Sequence, residues 1–337
     1  MPPPPTAKMK STYAIKPRKR MRGHTHLVTG VAHLPDRRRI ITCSHDGSLR
    51  LWEIESGTQI GGDWRDGRDH PEVFTIALSP NSKAVASGSR DGKVRLWDVE
   101  TKKVVAKWTG HTGTVMSLCW SVDDERVASG SNDGTLRVWD VESGDTVLGP
   151  IKTGHVYVFA LIYSPDTTKI ATGGGHETAL KIWDAKTGNL LSTIKHDFAV
   201  SSLAWTSDQK KLIAGSYSTI GIFDTSTWQQ IATLEGHTST LCSLSLFEND
   251  RLLASTSWDT TARIWNLDTN LPIGPPLQHR DKVESAAISA DGKLLVTGCR
   301  DKNAYVWDIH TILKDAGLED LLSIPDVSVT RSPIISR

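Results

Sequence analysis

Apolar and polar residues alternate in short runs along most of the chain, and the runs come in fours. The clearest set is Val73–Leu78, Ala84–Ser89, residues 94–99 and Val104–Trp108. In Val94-Arg-Leu-Trp-Asp-Val99 the apolar residues alternate with polar ones, the period of a half-buried strand. Turn formers separate the runs: Ser79-Pro80-Asn81, Asp91-Gly92 and Thr101-Lys102-Lys103. Asp-Gly between two such runs is a hairpin signal, because a tight hairpin needs residues that tolerate positive φ. Four strands joined by tight turns predict one antiparallel sheet, and the other units repeat this order.

Landmark residues fix the number of units. Six tryptophans open a similar dipeptide: Trp52-Glu53, Trp97-Asp98, Trp139-Asp140, Trp183-Asp184, Trp265-Asn266 and Trp307-Asp308. Phe223-Asp224 fills the gap, and successive landmarks stand 40 to 45 residues apart. Gly-His precedes four units, at His24, His111, His155 and His237, while His70, His196 and His279 keep only the histidine. Between the two landmarks lies a turn aspartate: Asp46, Asp91, Asp133, Asp259 and Asp301. Seven units in register, with this period, resemble the WD-repeat β-propeller family over roughly residues 14–308. The resemblance implies an all-β fold, a seven-bladed propeller of four-stranded antiparallel blades.

It also implies a buried relay in each intact blade: loop histidine to turn aspartate, with a second-strand hydroxyl and the third-strand indole N–H joined on. A buried carboxylate needs donors, and imidazole and indole supply them. The relay is assigned to His70, Ser89, Asp91 and Trp97 in the second blade and to His111, Ser131, Asp133 and Trp139 in the third. In the sixth it falls on His237, Asp259 and Trp265. Which serine of each Ser-Gly-Ser run takes part stays open. The fourth blade carries Glu177 at the aspartate position and the fifth carries Tyr217 there and Phe223 for Trp, so these two are expected to be the least rigid. Asp133→Ala is expected to cost on the order of 1–3 kcal/mol by stranding a buried histidine. Ser, His and Asp together suggest a hydrolase triad, but a set that recurs around a ring is bracing, and no Gly-x-Ser-x-Gly elbow accompanies it.

Composition narrows the class. Among 337 residues, 38% are hydrophobic and 23% charged, and the net charge is +1. No whole-molecule field draws the protein to nucleic acid or anionic membrane. No apolar stretch matches a membrane span or a secretory h-region, which leads to an expected cytoplasmic or nuclear location. Cys43, Cys119, Cys242 and Cys299 stand far apart in strand-like runs, as buried free thiols. No metal or cofactor is expected. Gly173-Gly174-Gly175 is followed by neither Lys-Ser/Thr nor a helix pattern, so it reads as a distorted hairpin rather than a phosphate loop.

The last unit lacks a fourth run. After Trp307 the spacing turns helical, giving a short C-terminal helix over 309–322. Residues 13–21 stand where a fourth strand would, so the N-terminal segment is expected to close the ring, removing a sheet edge. The propeller then spans 13–308, with disordered tails at 1–12 and 323–337. Lys16, Arg18, Lys19, Arg20 and Arg22 read as a charged edge strand before a nuclear signal or nucleic-acid patch.

By the family resemblance, partners dock on the narrower face and channel mouth. Positions reaching that face include His45, Arg90, Asn132, Trp258 and Arg300 before the turn acids, and Tyr157 and Lys282 near the first strands. His176 shares the turn position. Trp258, between Ser257 and Asp259, is an unusual turn residue and a hot-spot candidate, with packing onto the next blade as the alternative. The resulting expectation is a non-catalytic scaffold or adaptor, monomeric in itself, that holds proteins or peptides within complexes. Nucleic acid is a less favoured partner. A chromatin-associated propeller, a ubiquitin-ligase adaptor and a propeller hydrolase are alternatives. The ligase reading lacks the arginine two residues beyond Trp-Asp, where Glu55, Glu100 and Glu142 stand.

Overall fold

The computed structural model describes residues 14–67, 70–175 and 179–323. The tail 1–12, all of the second tail except Ser323, and His176 and Glu177 lie outside the described residues. Seven sheets form a ring of seven blades. Blade 3 shows the plan: Val115–Trp120, Arg126–Ser131, Thr135–Asp140 and Thr146–Lys152, each antiparallel to the next. The first strand lines the central channel and the fourth lies outermost.

The core is a set of wedges between neighbouring blades. Val94 and Leu96 of blade 2 pack with Val115, Leu118 and Val127 of blade 3. Glycine sets this spacing. A Cβ on Gly130 would lie 2.5 Å from Val158 of the next blade, and one on Gly173 would lie 2.6 Å from Val200. The Gly173-Gly174 pair therefore belongs to a regular strand, Lys169–Gly174, that a neighbour approaches closely. Channel-facing hydroxyls stitch the innermost strands together. Thr29 Oγ1 donates to Val73 O at 2.8 Å, Ser201 Oγ donates to Leu241 O at 2.6 Å, and Ser117 Oγ accepts from Leu161 N at 2.9 Å. Backbone groups that an inner edge would leave open thus find partners.

The N-terminal strand Lys19–Arg22 pairs antiparallel with Asn303–Asp308 and is the outermost strand of blade 7. Met21, 1% exposed, anchors it among Val28, Ala304 and Val306. Blade 1 departs from the repeat: its outer position is an irregular segment held at two bridges, Trp52 to Gln59 and Leu49 to Trp64. The helix Ile309–Ala316 ends at Gly317, in the left-handed region at φ 68°, and buries Ile309, Ile312 and Leu313 against blades 6 and 7. A 3-10 turn, Glu319–Leu322, follows, and Asn249 Nδ2 donates to Leu321 O at 2.6 Å. Among the described residues no helix is long and apolar enough to cross a membrane.

Candidate functional site: the channel mouth and its bracing

Each intact blade holds a chain of donors behind the mouth. In blade 3, Trp139 Nε1 donates to Ser129 Oγ at 2.8 Å. Ser129 Oγ lies 2.8 Å from His111 Nε2, and His111 Nδ1 lies 2.9 Å from Asp133 Oδ2. With indole able only to donate and carboxylate only to accept, the order assigns neutral imidazole with its proton on Nδ1. Burial pushes the His111 imidazole below its ordinary value, against the pull of Asp133. Burial alone would raise the Asp133 carboxyl, yet hydrogen bonds from Thr135 and Thr112 and the adjacent His111 hold it below its ordinary value. Blade 6 repeats the chain through Trp265, Ser255, His237 and Asp259, and blade 1 through Trp52, Thr42, His24 and Asp46.

Three sequence assignments change. The relay hydroxyls are Ser129 and Ser87, not Ser131 and Ser89. Trp139 pairs with Val127 and Trp97 with Val85, so each indole reaches the same-face residue two positions on, and four positions is too far. Ser131 instead serves the turn, donating to Gly113 O at 2.9 Å and accepting from Asp133 N at 3.1 Å. Among the described residues Ser89 Oγ has no hydrogen-bond partner. His70 is exposed and is not bonded to Asp91. Arg95 replaces it: Nη1 and Nη2 lie 3.0 and 2.7 Å from the Asp91 oxygens, and Nε lies 2.7 Å from Asp66. The longer connection out of blade 1 delivers Asp66, and a guanidinium satisfies both acids at once.

In blade 7 the Tyr305 hydroxyl donates to Asp301, while His279 Nε2 stays on Thr297 Oγ1 at 2.7 Å. In blade 4 Trp183 and His155 both meet Thr172 Oγ1, at 2.9 and 3.3 Å. Blade 5 has no relay: His196 Nδ1 donates to Phe198 O at 3.1 Å and its ring faces Phe223.

Ser129, His111 and Asp133 have the distances of a hydrolytic triad. Ser129 is 0% exposed and its oxygen already takes the Trp139 proton, so no substrate reaches it. Burial pushes Cys43 and Cys299 up to about 12 and Cys119 to about 11, which leaves them as thiols rather than nucleophiles.

The mouth itself opens into a cavity of about 540 Å³. Trp258 is half-buried beside it, with Lys282 Nζ 4.5 Å and Arg300 Cζ 4.7 Å from its ring. The indole thus packs onto the next blade through two cation–π contacts. The Arg300 guanidinium donates to Glu284. Across the seam, Arg90 Nη1 lies 2.9 Å from Glu72, and His45 Nδ1 lies 3.8 Å from the same carboxylate with its ring 4.2 Å from Phe74. Burial lowers the His45 pKa despite Glu72 and Glu284 nearby. His45, Arg90, Trp258, Lys282 and Arg300 thus share one arc, over blades 6, 7, 1 and 2. Asn132 and Tyr157 stand apart on blades 3 and 4. Sequence reasoning missed two aromatic pairs on neighbouring blades, Tyr157 with Phe159 on blade 4 and Phe198 with Tyr217 on blade 5. The available signal was Tyr157, Phe198 and Tyr217 in connections and turns where most other units carry small or polar residues.

The family model for the WD domain, G-beta repeat, matches residues 15–53, 66–98, 102–140, 148–184, 188–224, 228–266 and 275–308. Among curated proteins, Nuclear distribution protein nudF of Aspergillus niger is 31% identical over 167 residues, 48% of this chain and 38% of that protein. Target of rapamycin complex subunit LST8 of Bos taurus is 27% identical over 173 residues, 50% of this chain and 52% of that protein. Autophagy-related protein 16 of Arabidopsis thaliana is 28% identical over 141 residues, 41% of this chain and 28% of that protein. The matches span between 28% and 52% of these relatives.

Proposed function

Because the chain belongs to the WD40 repeat family, we propose that it is a non-catalytic adaptor that holds protein or peptide partners at the channel mouth. Family membership by itself fixes little beyond partner binding. The observation that carries the reading is the Trp258 clamp. A large aromatic ring in contact with Lys282 and Arg300, with Glu284 fixing Arg300, is a rigid anchor of the kind that dominates interfaces. Arg90, His45 and Glu72 extend it along the rim. The name of one relative calls it a subunit of a complex, which supports the same role here, a monomeric propeller working inside an assembly.

The test is affinity purification with mass spectrometry on the full chain and on a Trp258→Ala/Arg90→Glu variant with an unchanged melting temperature. The expected result is that the variant loses most of the proteins that the wild type retains. An unchanged set of retained proteins would place the contact elsewhere and defeat the reading.

A further inference from the structure

The mouth has two chemically different halves. Blades 6, 7, 1 and 2 carry the charged clamp and rim. Blades 4 and 5 carry aromatic rings. Among the described residues Tyr157, Phe198 and Tyr217 are the only exposed Phe, Tyr or Trp side chains, at 42%, 52% and 51%. Exposed apolar residues scattered singly need no explanation, whereas grouped rings do. These rings form two pairs, Tyr157 with Phe159 and Phe198 with Tyr217, each with centroids 5.8 Å apart.

The backbone is built to present them. Tyr217 follows Ser216 as Arg90 follows Ser89, in a turn one residue shorter that carries no bracing aspartate, and blade 5 has no relay. Its loop histidine, His196, holds the Phe198 carbonyl instead. On blade 4, a Cβ on Gly174 would lie 2.0 Å from Tyr157 O, so glycine there lets the Tyr157 backbone settle, tied by Gly175 N at 3.1 Å. A fold that gives up a stabilising motif in one blade and gains surface aromatics in the same place marks a functional site rather than drift.

The other half supplies the charge requirement. Arg90 is neutralised by Glu72 and Arg300 by Glu284. Lys282 forms no ion pair among the described residues, and its ammonium rests on Trp258. One uncompensated cation remains at the clamp and calls for an anion. Nucleic acid would satisfy rings and cations together. It would also bring its phosphates against Glu72, Glu284 and Asp197, and here rings and cations occupy separate arcs instead of interleaving along one groove.

Resting on the adaptor reading above, we propose that shelf and clamp hold one extended segment of a partner protein. Its large apolar side chains lie on Tyr157, Phe198 and Tyr217, and an acidic side chain a few residues away meets Lys282.

The experiment selects short random peptides displayed on phage against the immobilised full chain. Selected peptides are then measured by fluorescence anisotropy against wild type, Phe198→Ser/Tyr217→Ser and Lys282→Glu. All the substituted residues except Lys282 are surface rings outside the relays, and melting curves check that each variant is folded. The selected peptides are expected to pair aromatic or large aliphatic residues with Asp or Glu, and each variant to weaken binding about tenfold or more, roughly 1.4 kcal/mol. Selection of Lys- or Arg-rich peptides, unchanged affinity in the shelf variant, displacement by single-stranded oligo(dT), or no selected peptide would each overturn the proposal. If the Trp258→Ala/Arg90→Glu variant still loses its partners in the purification while the shelf variant binds normally, this inference fails and the adaptor reading stands.

Discussion

Removing the Asp133 carboxylate tests whether the relay braces the ring. The carboxylate accepts four hydrogen bonds: from His111 Nδ1 at 2.9 Å, Thr112 N at 2.9 Å, Thr135 N at 2.9 Å and Thr135 Oγ1 at 2.6 Å. In Asp133→Ala the exposed Thr112 N–H can turn to water, and the Thr135 hydroxyl can rotate. His111, whose side chain is 0% exposed, keeps Ser129 on Nε2, but its Nδ1–H is left with only Thr135 Oγ1 at 3.2 Å, and the Thr135 N–H keeps no partner. A stranded buried donor costs about 1–3 kcal/mol and a weakened one less, so the variant should lose roughly 2–4 kcal/mol. Asp91→Ala in blade 2 is the internal comparison. Its carboxylate is more exposed, at 27%, and its arginine keeps Asp66, so the cost should stay near 1 kcal/mol, as for an exposed ion pair. Urea denaturation followed by tryptophan emission reads both losses. Hydrogen exchange should place the Asp133→Ala loss in residues 111–139. Equal losses in the two variants, or no protection change in blade 3, would refute the bracing argument.

Acid should destabilise the ring well before the carboxylates titrate. Burial lowers His279 and His33 to about 4 from the ordinary 6.5, so folding favours their neutral forms. Their contribution is whole above pH 6.5 and is lost as pH falls toward 4, by about 3 kcal/mol for each ring. A urea midpoint that stays flat from pH 7 to pH 4 would contradict this. Met21→Ala should cost about 2–4 kcal/mol by emptying the site under the closing strand, and it should expose residues 14–22 to protease. A loss below about 1 kcal/mol, with unchanged proteolysis, would mean that the strand contributes little to closure.

The ring and its seven units were legible because repetition multiplies weak signals: seven aromatic-acid landmarks in register leave little freedom. Closure by the N-terminal segment was legible for a related reason, since one unit lacked a run and another stretch had one to spare. The misplaced details depend on distances that pattern does not carry. Ser87 and Ser89 have the same parity on one strand, and only the reach of an indole selects between them. His70 looks like its counterparts in sequence. What displaces it is Arg95 with Asp66, and Asp66 comes from an irregular outer segment that does not alternate. The aromatic shelf was hidden because Tyr217 registered as a damaged relay position, and its pairing with Phe198 exists only once loop and turn meet.

The pairing of Lys19–Arg22 with Asn303–Asp308 has a consequence for the order of assembly. A ribosome releases residue 22 long before residue 303, so the seventh sheet cannot be completed until the strand Asn303–Asp308 has emerged. The blades between can form in sequence, because each is built from local hairpins. Throughout that interval the leading strand has no partner, and the arc of finished blades has two open ends. Such a nascent arc exposes unpaired strand edges and apolar sheet faces until its final sheet is made. A stop codon placed before residue 303 would therefore remove two strands from the architecture, the one not yet made and the one already waiting.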